Sequence, residues 1–197
     1  MDFKALVFDC DGTLADSMPV HYLAWRQTMS RHGIDFCEDR FYSMGGMPTT
    51  KIIAILADEA GLVLDIEQVA IEKEDAFHAN IDQMRPIEPV VAVAREYRGR
   101  VPLAVATGTM RSSAHQVLGQ LGVLDWFDAL VSCEDVENHK PAPDTYLEAA
   151  RRLGVSPEDC RAYEDTDIGL QAARSAGMEV VDIRTVHTPR RITPAPS

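Results

Sequence analysis

What the chain lacks narrows its class first. There is no CxxC pair and no disulfide framework: Cys10, Cys37, Cys133 and Cys160 stand apart and read as reduced thiols. Positive charge is scarce. Nineteen Lys and Arg face 31 Asp and Glu, for a formal net charge of −12 and a pI near 4.8. That balance argues against nucleic acid or an anionic membrane as partner, since both need a basic face. A small anionic substrate stays open, because exposed charges are screened beyond roughly 8 Å at physiological salt. No apolar run approaches the length of a membrane span. The first residues, Met1-Asp2-Phe3-Lys4, lead into an apolar run without a signal-peptide pattern. Internal repeats and low-complexity segments are missing too. A cytoplasmic protein, monomeric or weakly dimeric, is expected.

What is present suits a folded core. Hydrophobic residues make up 46% of the 197 residues and charged residues 25%, enough for one domain, or one domain with an inserted module. The most informative stretch is Leu6-Val7-Phe8-Asp9-Cys10-Asp11-Gly12-Thr13-Leu14. An apolar run ends abruptly in two aspartates and Gly-Thr, as a buried strand does where it reaches the surface. By alternation Cys10 points into the packing and is expected to be inert.

Beyond it, residues 17–33 read as a helix, with Ser17 as N-cap and Gly33 past its end. After the break at Met44-Gly45-Gly46-Met47-Pro48 come two more helices, from Thr49 or Thr50 to Glu59 and from about Asp65 to Met84. Pro86 and Pro89 mark a boundary. Helices over 90–98, 111–121, 144–153 and 167–176 then alternate with strands over 102–107, 129–133, 160–164 and 179–183. Alternation of this kind predicts an α/β fold, a Rossmann-like parallel five-stranded sheet with helices on both faces. The expected organisation is a core of residues 1–15 and 87–186, an all-α helical cap over 16–86, and a loose tail over 187–197. An insert placed just after the first strand is positioned to act as a lid.

In a parallel sheet the carboxyl ends of the strands share one edge, where ligands bind. Asp9 and Asp11 end the first strand, Thr107-Gly108-Thr109 the second, and Glu164-Asp165 the fourth, while His139-Lys140-Pro141 lies in the loop after the third. Hard carboxylate oxygens suit Mg²⁺. A hydroxyl, backbone amides and a lysine suit a phosphoryl group. Each piece alone has a bland reading: a loop end, an ordinary turn, a surface lysine, a helix N-cap. Asp167 is the expected cap of the last helix.

Asp9-Cys10-Asp11-Gly12-Thr13-Leu14, Ala106-Thr107-Gly108, Lys140-Pro141-Ala142-Pro143-Asp144 and Tyr163-Glu164-Asp165, in this order, resemble the four motifs of the haloacid dehalogenase superfamily. The insert resembles that superfamily's small helical cap. Within it the likeness is to the β-phosphoglucomutase-like branch. The segments 139–145 and 169–174 are similar to bacterial fructose-1-phosphate phosphatases. The resemblance implies a Mg²⁺-dependent phosphatase of small phosphorylated sugars, of the fructose-1-phosphate or 6-phosphogluconate type. It implies Asp9 as nucleophile, forming an aspartyl-phosphate, and Asp11 as acid and then base. It implies Thr107, Gly108 and Lys140 as phosphoryl ligands, and Asp9, Asp11 through its backbone carbonyl, Glu164 and Asp165 as metal ligands.

For the cap the resemblance implies substrate contacts from His21 and from the Gly45-Gly46 turn. His21 and Trp25 lie four apart on one helix face. Trp25 has two readings, as a sugar-facing indole or as a packed bundle residue. By position Thr49 stands where the mutases of this branch carry an arginine, and Lys51 and Lys73 are nearby candidates for a distal grip. The alternatives are a β-phosphoglucomutase-like mutase, carbon–halogen hydrolysis and a non-catalytic phosphosugar-binding regulator. Asp11 with Glu164-Asp165 argues against the second, and intact Asp9 and Asp11 against the third.

Overall fold

The computed structural model describes residues 3–44, 47 and 49–192. The chain divides into two compact units, one of Met1–Ser17 with Met84–Pro189, the other of Met18–Gln83 with Arg190–Ser197. The first crossing therefore follows Ser17 rather than Ala15, and the second precedes Met84 rather than Ile87. Among the described residues no helix is long and apolar enough to cross a membrane.

In the first unit, five strands form a parallel sheet in the order β3-β2-β1-β4-β5. They are β1 (Ala5–Phe8), β2 (Leu103–Ala106), β3 (Ala129–Val131), β4 (Cys160–Glu164) and β5 (Glu179–Asp182). The strand nearest the start of the chain thus lies in the middle, paired to β2 by Leu6↔Leu103 and to β4 by Leu6↔Arg161. Its residues are all fully buried, as an apolar run in a two-sided sheet must be. The order reverses at β1, so the crevice at its carboxyl end is a topological switch point.

Alternation sends Ala5 and Val7 to one face and Leu6 and Phe8 to the other. The Val7 face joins Ala104, Ala106 and Ala162 to Tyr146, Ala149 and Ala150 of a helix over Asp144–Leu153, and to Ala172 and Ala173 of a helix over Asp167–Ser175. Alanines on both sides let these helices sit close to the sheet. On the other face Phe8 stacks on Tyr163, with ring centres 4.9 Å apart. Gly154 closes the Asp144–Leu153 helix with φ +68°, and Val155 N–H returns to the Ala150 carbonyl at 3.1 Å. Only glycine takes that left-handed position without strain.

The second unit holds α1 (Met18–Arg31), α2 (Glu38–Ser43), α3 (Thr49–Ala60) and α4 (Ile66–Ala79), so the later helices are α5 (Glu88–Tyr97), α6 (Arg111–Gln120), α7 (Asp144–Leu153) and α8 (Asp167–Ser175). The last of these, α4, stops at Ala79, short of the expected Met84, and a single 3₁₀ turn over Ile81–Gln83 follows. Asp65 caps α4 by accepting from Gln68 N–H at 3.1 Å. Tyr22, Met29, Phe36, Phe41, Ile53 and Leu56 form its core.

The short α2 has no sequence-level forecast, because six residues are too few to show a helical period. Tertiary contacts hold it instead. Its buried Glu38 accepts from Ile192 N–H at 2.9 Å, and Asp39 Oδ1 accepts from Arg191 at 2.6 and 2.7 Å. The tail expected to be loose is therefore tied down at 191–192, because a buried carboxylate needs a donor.

Candidate active site

The loop after β1 is built around one carbonyl. Thr13, Leu14 and Ala15 N–H all donate to the Cys10 carbonyl, at 3.3, 3.0 and 3.0 Å. Gly12 makes the turn possible with φ +82°. It also makes room, since a β-carbon there would stand 2.2 Å from Asp165 Oδ2. Thr13 Oγ1 donates to Asp165 Oδ1 at 3.0 Å. The Gly-Thr pair after the aspartates thus seats a carboxylate 152 positions further on.

Asp9 continues the ladder beyond β1, its N–H donating to the Tyr163 carbonyl at 3.0 Å. Its side chain meets Lys140, the centre of the site. The ammonium donates to Asp9 Oδ1 at 2.7 Å, to Glu164 Oε1 at 2.7 Å and to the Ala106 carbonyl at 3.1 Å. One cation so ties the carboxyl ends of β1, β2 and β4. The pairs are almost fully buried, with 8% of the Lys140 side chain and 1% of Glu164 exposed. Lys140 is reached through a loop closed by Asn138 Nδ2 donating to Asp144 Oδ1 at 2.9 Å, and its bond to Pro141 is cis.

Thr107 follows Ala106 and is buried. Its N–H donates to the Val131 carbonyl at 2.9 Å, and its hydroxyl accepts from Thr109 N–H at 3.2 Å. Gly108 beside it is exposed, with open space where a side chain would be. Asp11 is half-buried and bridges to Ala15.

Glu164, expected as a metal ligand, is tied to the protein through both oxygens. Oε1 accepts from the Lys140 ammonium, and Oε2 accepts from Asp165 N–H, Thr166 N–H and Thr166 Oγ1, at 2.8, 2.8 and 3.0 Å. Both oxygens are engaged with the protein, so Glu164 positions the loop and the lysine. The cap of α8 is Thr166, which accepts from Gly169 N–H at 3.1 Å, and not Asp167. Asp167 pairs with Arg184 at 2.8 Å instead.

Burial acts on the charged groups gathered here. Burial pushes Asp9 well above the usual carboxylate range, against the pull of Lys140. Asp165 is pushed up to about 7 by burial and by the Glu164 charge. Burial alone would lower Lys140, but Asp9, Tyr146 and Glu164 hold it well above its ordinary value. Carboxylates raised in this way mark a site short of positive charge. A hard divalent cation beside Asp9 and Asp165 fits that shortage. Among the described residues no three His, Cys, Asp or Glu side chains form a ready cage.

In the helical unit, His21 stacks on Phe77 with ring centres 4.2 Å apart, and its Nδ1 lies 3.2 Å from Lys73 Nζ. Burial, then the Lys73 charge, pushes its pKa well below the ordinary value, so the ring is neutral. Trp25 is 3% exposed and packs edge-on against Phe36, the bundle reading of the two. Lys73 is buried and paired with Glu74 at 2.8 Å, which removes it as a free distal grip. Gly45 and Gly46 lie outside the described residues.

Sequence reading missed Thr13, Gly169, the Ala106 carbonyl and Tyr146. Only the two-residue spacing of Thr13 from Asp11, and the place of Tyr146 directly after the lysine segment, offered a signal.

Comparison with known proteins bears on the same residues. The model of the haloacid dehalogenase-like hydrolases matches residues 3–177. The fructose-1-phosphate phosphatase YqaB of Escherichia coli is 39% identical over 183 residues, 92% of this chain and 97% of that protein. The phosphorylated carbohydrates phosphatase of Thermotoga maritima is 31% identical over 89% of this chain and 82% of its own length. Among solved structures, beta-phosphoglucomutase from Clostridium difficile superposes with a TM-score of 0.74 at 25% identity, covering 91% of this chain and 84% of that one.

Proposed function

We propose, from the premise that the chain belongs to the haloacid dehalogenase-like hydrolases, that it is a Mg²⁺-dependent phosphatase of small phosphorylated sugars. One observation carries the reading: a buried ammonium at the switch point of the sheet, 2.7 Å from Asp9 and held from behind by Glu164 and the Ala106 carbonyl. A lysine fixed in this way can donate one hydrogen bond to a phosphoryl oxygen while keeping its other two anchors. The names of the relatives, a fructose-1-phosphate phosphatase and a phosphorylated carbohydrates phosphatase, support the substrate class.

The chain's own residues divide the work. An Asp9 carboxylate oxygen attacks phosphorus, and the bond to the sugar oxygen breaks as the aspartyl-phosphate forms. Asp11 gives its proton to the leaving alkoxide. Water then attacks the aspartyl-phosphate, Asp11 takes its proton, and inorganic phosphate leaves with Asp9 restored. Thr107, the Gly108 amide and Lys140 hold the phosphoryl oxygens. Asp9, the Asp11 backbone carbonyl, Glu164 and Asp165 would hold Mg²⁺, and Glu164 also accepts from the Asp165 N–H. When bound, the ion offsets the repulsion between a carboxylate and a phosphate dianion. Selectivity is assigned to the inserted helical unit, with His21 and the Gly45-Gly46 turn as its candidates.

The test is phosphate release from fructose-1-phosphate, 6-phosphogluconate and glucose-1-phosphate with Mg²⁺ present. At least one should turn over, and Asp9→Asn should lower its rate a thousandfold or more, on the order seen when a nucleophile is removed. Retained activity in that variant would remove Asp9 as nucleophile. A mutase reading finds support in the solved beta-phosphoglucomutase of similar fold. Glucose-6-phosphate appearing from glucose-1-phosphate much faster than free phosphate would favour it over hydrolysis.

A further inference from the structure

The chain passes between its two compact units three times, at Ser17–Met18, at Gln83–Met84 and at Pro189–Arg190. The first two crossings are those that any single insertion makes. The third arises because the end of the chain returns to the inserted unit.

In the sheet unit the crossings start from one place. Asp16 N–H donates to the Arg85 carbonyl at 2.9 Å, and Ala15 bridges to Pro86, so two strands leave as a pair. The returning segment starts beside them. Ile183 is buried, His187 N–H donates to the Ile183 carbonyl at 2.9 Å, and His187 Nε2 lies 3.5 Å from Asp16 Oδ1. In the helical unit the segment is held again from Arg191. Its guanidinium donates to Asp39 Oδ1 at 2.6 and 2.7 Å and lies 4.7 Å from the centre of the Tyr42 ring. Ile192 N–H donates to the buried Glu38 at 2.9 Å, and the Ile192 side chain packs against the core of that unit. An exposed ion pair contributes little. The hold therefore comes mainly from Ile192 and from the bond to a buried carboxylate.

We infer that residues 188–190 form a strap, a third covalent tie that limits how the helical unit moves relative to the sheet unit. Units joined by two adjacent strands can both swing and twist about them. A third link, anchored at each end, removes part of that freedom. Thr188, Pro189 and Arg190 alone span the gap between the anchors. From His187 to Arg191 an extended chain reaches at most about 14 Å. Pro189 fixes one of the few dihedrals in the link and leaves it little slack.

The experiment lengthens the link and leaves both anchors intact. Spin labels at Val63→Cys and Leu147→Cys, both exposed and one on each unit, report the distance between the units by electron–electron resonance. Cys37→Ser and Cys133→Ser keep the label off the accessible native thiols. A six-residue Gly-Ser insertion between Thr188 and Pro189 extends the reach to about 35 Å. The distance distribution should widen by up to about 1.6-fold, the square-root growth of a flexible link. Arg191→Ala with Ile192→Ala, which frees one anchor, should widen it as well. The same insertion after Gly99, in an exposed turn of the sheet unit, is the control and should leave the width unchanged. Equal widths in the parent and the lengthened-link protein overturn the inference, as does equal widening by the control insertion. The labels read movement directly, so the result stands whether or not the chain is a phosphatase.

Discussion

A β-carbon on Gly169 would stand 1.6 Å from Glu164 Oε1, the oxygen that accepts from Lys140. The absence of a side chain in the first turn of α8 is therefore what lets Glu164 reach the lysine. Gly169→Ala should move Glu164 and with it Lys140. Alanine gains about 1 kcal/mol of helix propensity, but overpacking costs about 1–3 kcal/mol. A fall in Tm of up to about 8 °C is expected, with a drop in kcat/KM of tenfold or more, about 1.4 kcal/mol in the barrier. Calorimetry and phosphate release check both, and an active, unshifted variant would mean that Glu164 has room the structure does not show.

Lys140→Ala leaves Asp9 and Glu164 facing each other without their shared cation. Losing the ammonium from the phosphoryl site should reduce kcat/KM about a hundredfold or more. Removing one partner of a buried pair should also destabilise the fold by about 3–5 kcal/mol. Urea titration beside steady-state kinetics separates the two effects. A near-native rate in the folded fraction would reduce Lys140 to a structural residue.

Mg²⁺ binding should be visible without any substrate. A ligand at a hundred times its Kd stabilises the native state by about 2.7 kcal/mol. The protein should therefore melt later in saturating Mg²⁺ than in a chelator. Asp165→Asn should lose most of that difference while keeping the chelator-treated Tm. Equal Mg²⁺ shifts in both proteins would move the ion away from Asp165.

On the surface of α7, Glu148 accepts from Arg151 and Arg152 at 2.7–2.8 Å. Bonds from Arg151, then from Arg152, lower its pKa to about 2. A carboxyl depressed in the folded state adds stability above its unfolded pKa, near 4.3, and loses it as the pH falls through the folded value. Solvent screening of the exposed arginine limits the gain to about 1 kcal/mol. Glu148→Gln should be less stable than the parent at pH 7 by that amount and equal to it near pH 2. Urea midpoints at the two pH values provide the test, and an unchanged gap at low pH would contradict it.

The chain's own pattern determined the class of fold and the strand ends that matter. Alternating runs, turn glycines and a DxD at the end of an apolar strand are local signals. Local chemistry is enough to place β4 at Cys160–Glu164 and α7 at Asp144–Leu153, as expected from spacing alone. Parallel pairing then carries distant strand ends to one edge. Tertiary structure decided what local pattern cannot express. The short α2 exists because Arg191 and Ile192 hold it. Trp25 packs inside the bundle because Phe36 and the rest of that core surround it. Glu164 holds Lys140 and its own loop because donors from Lys140, Asp165 and Thr166 converge on its two oxygens. A buried charge takes whichever partners lie within about 3 Å, and those distances come from packing between segments far apart in the chain.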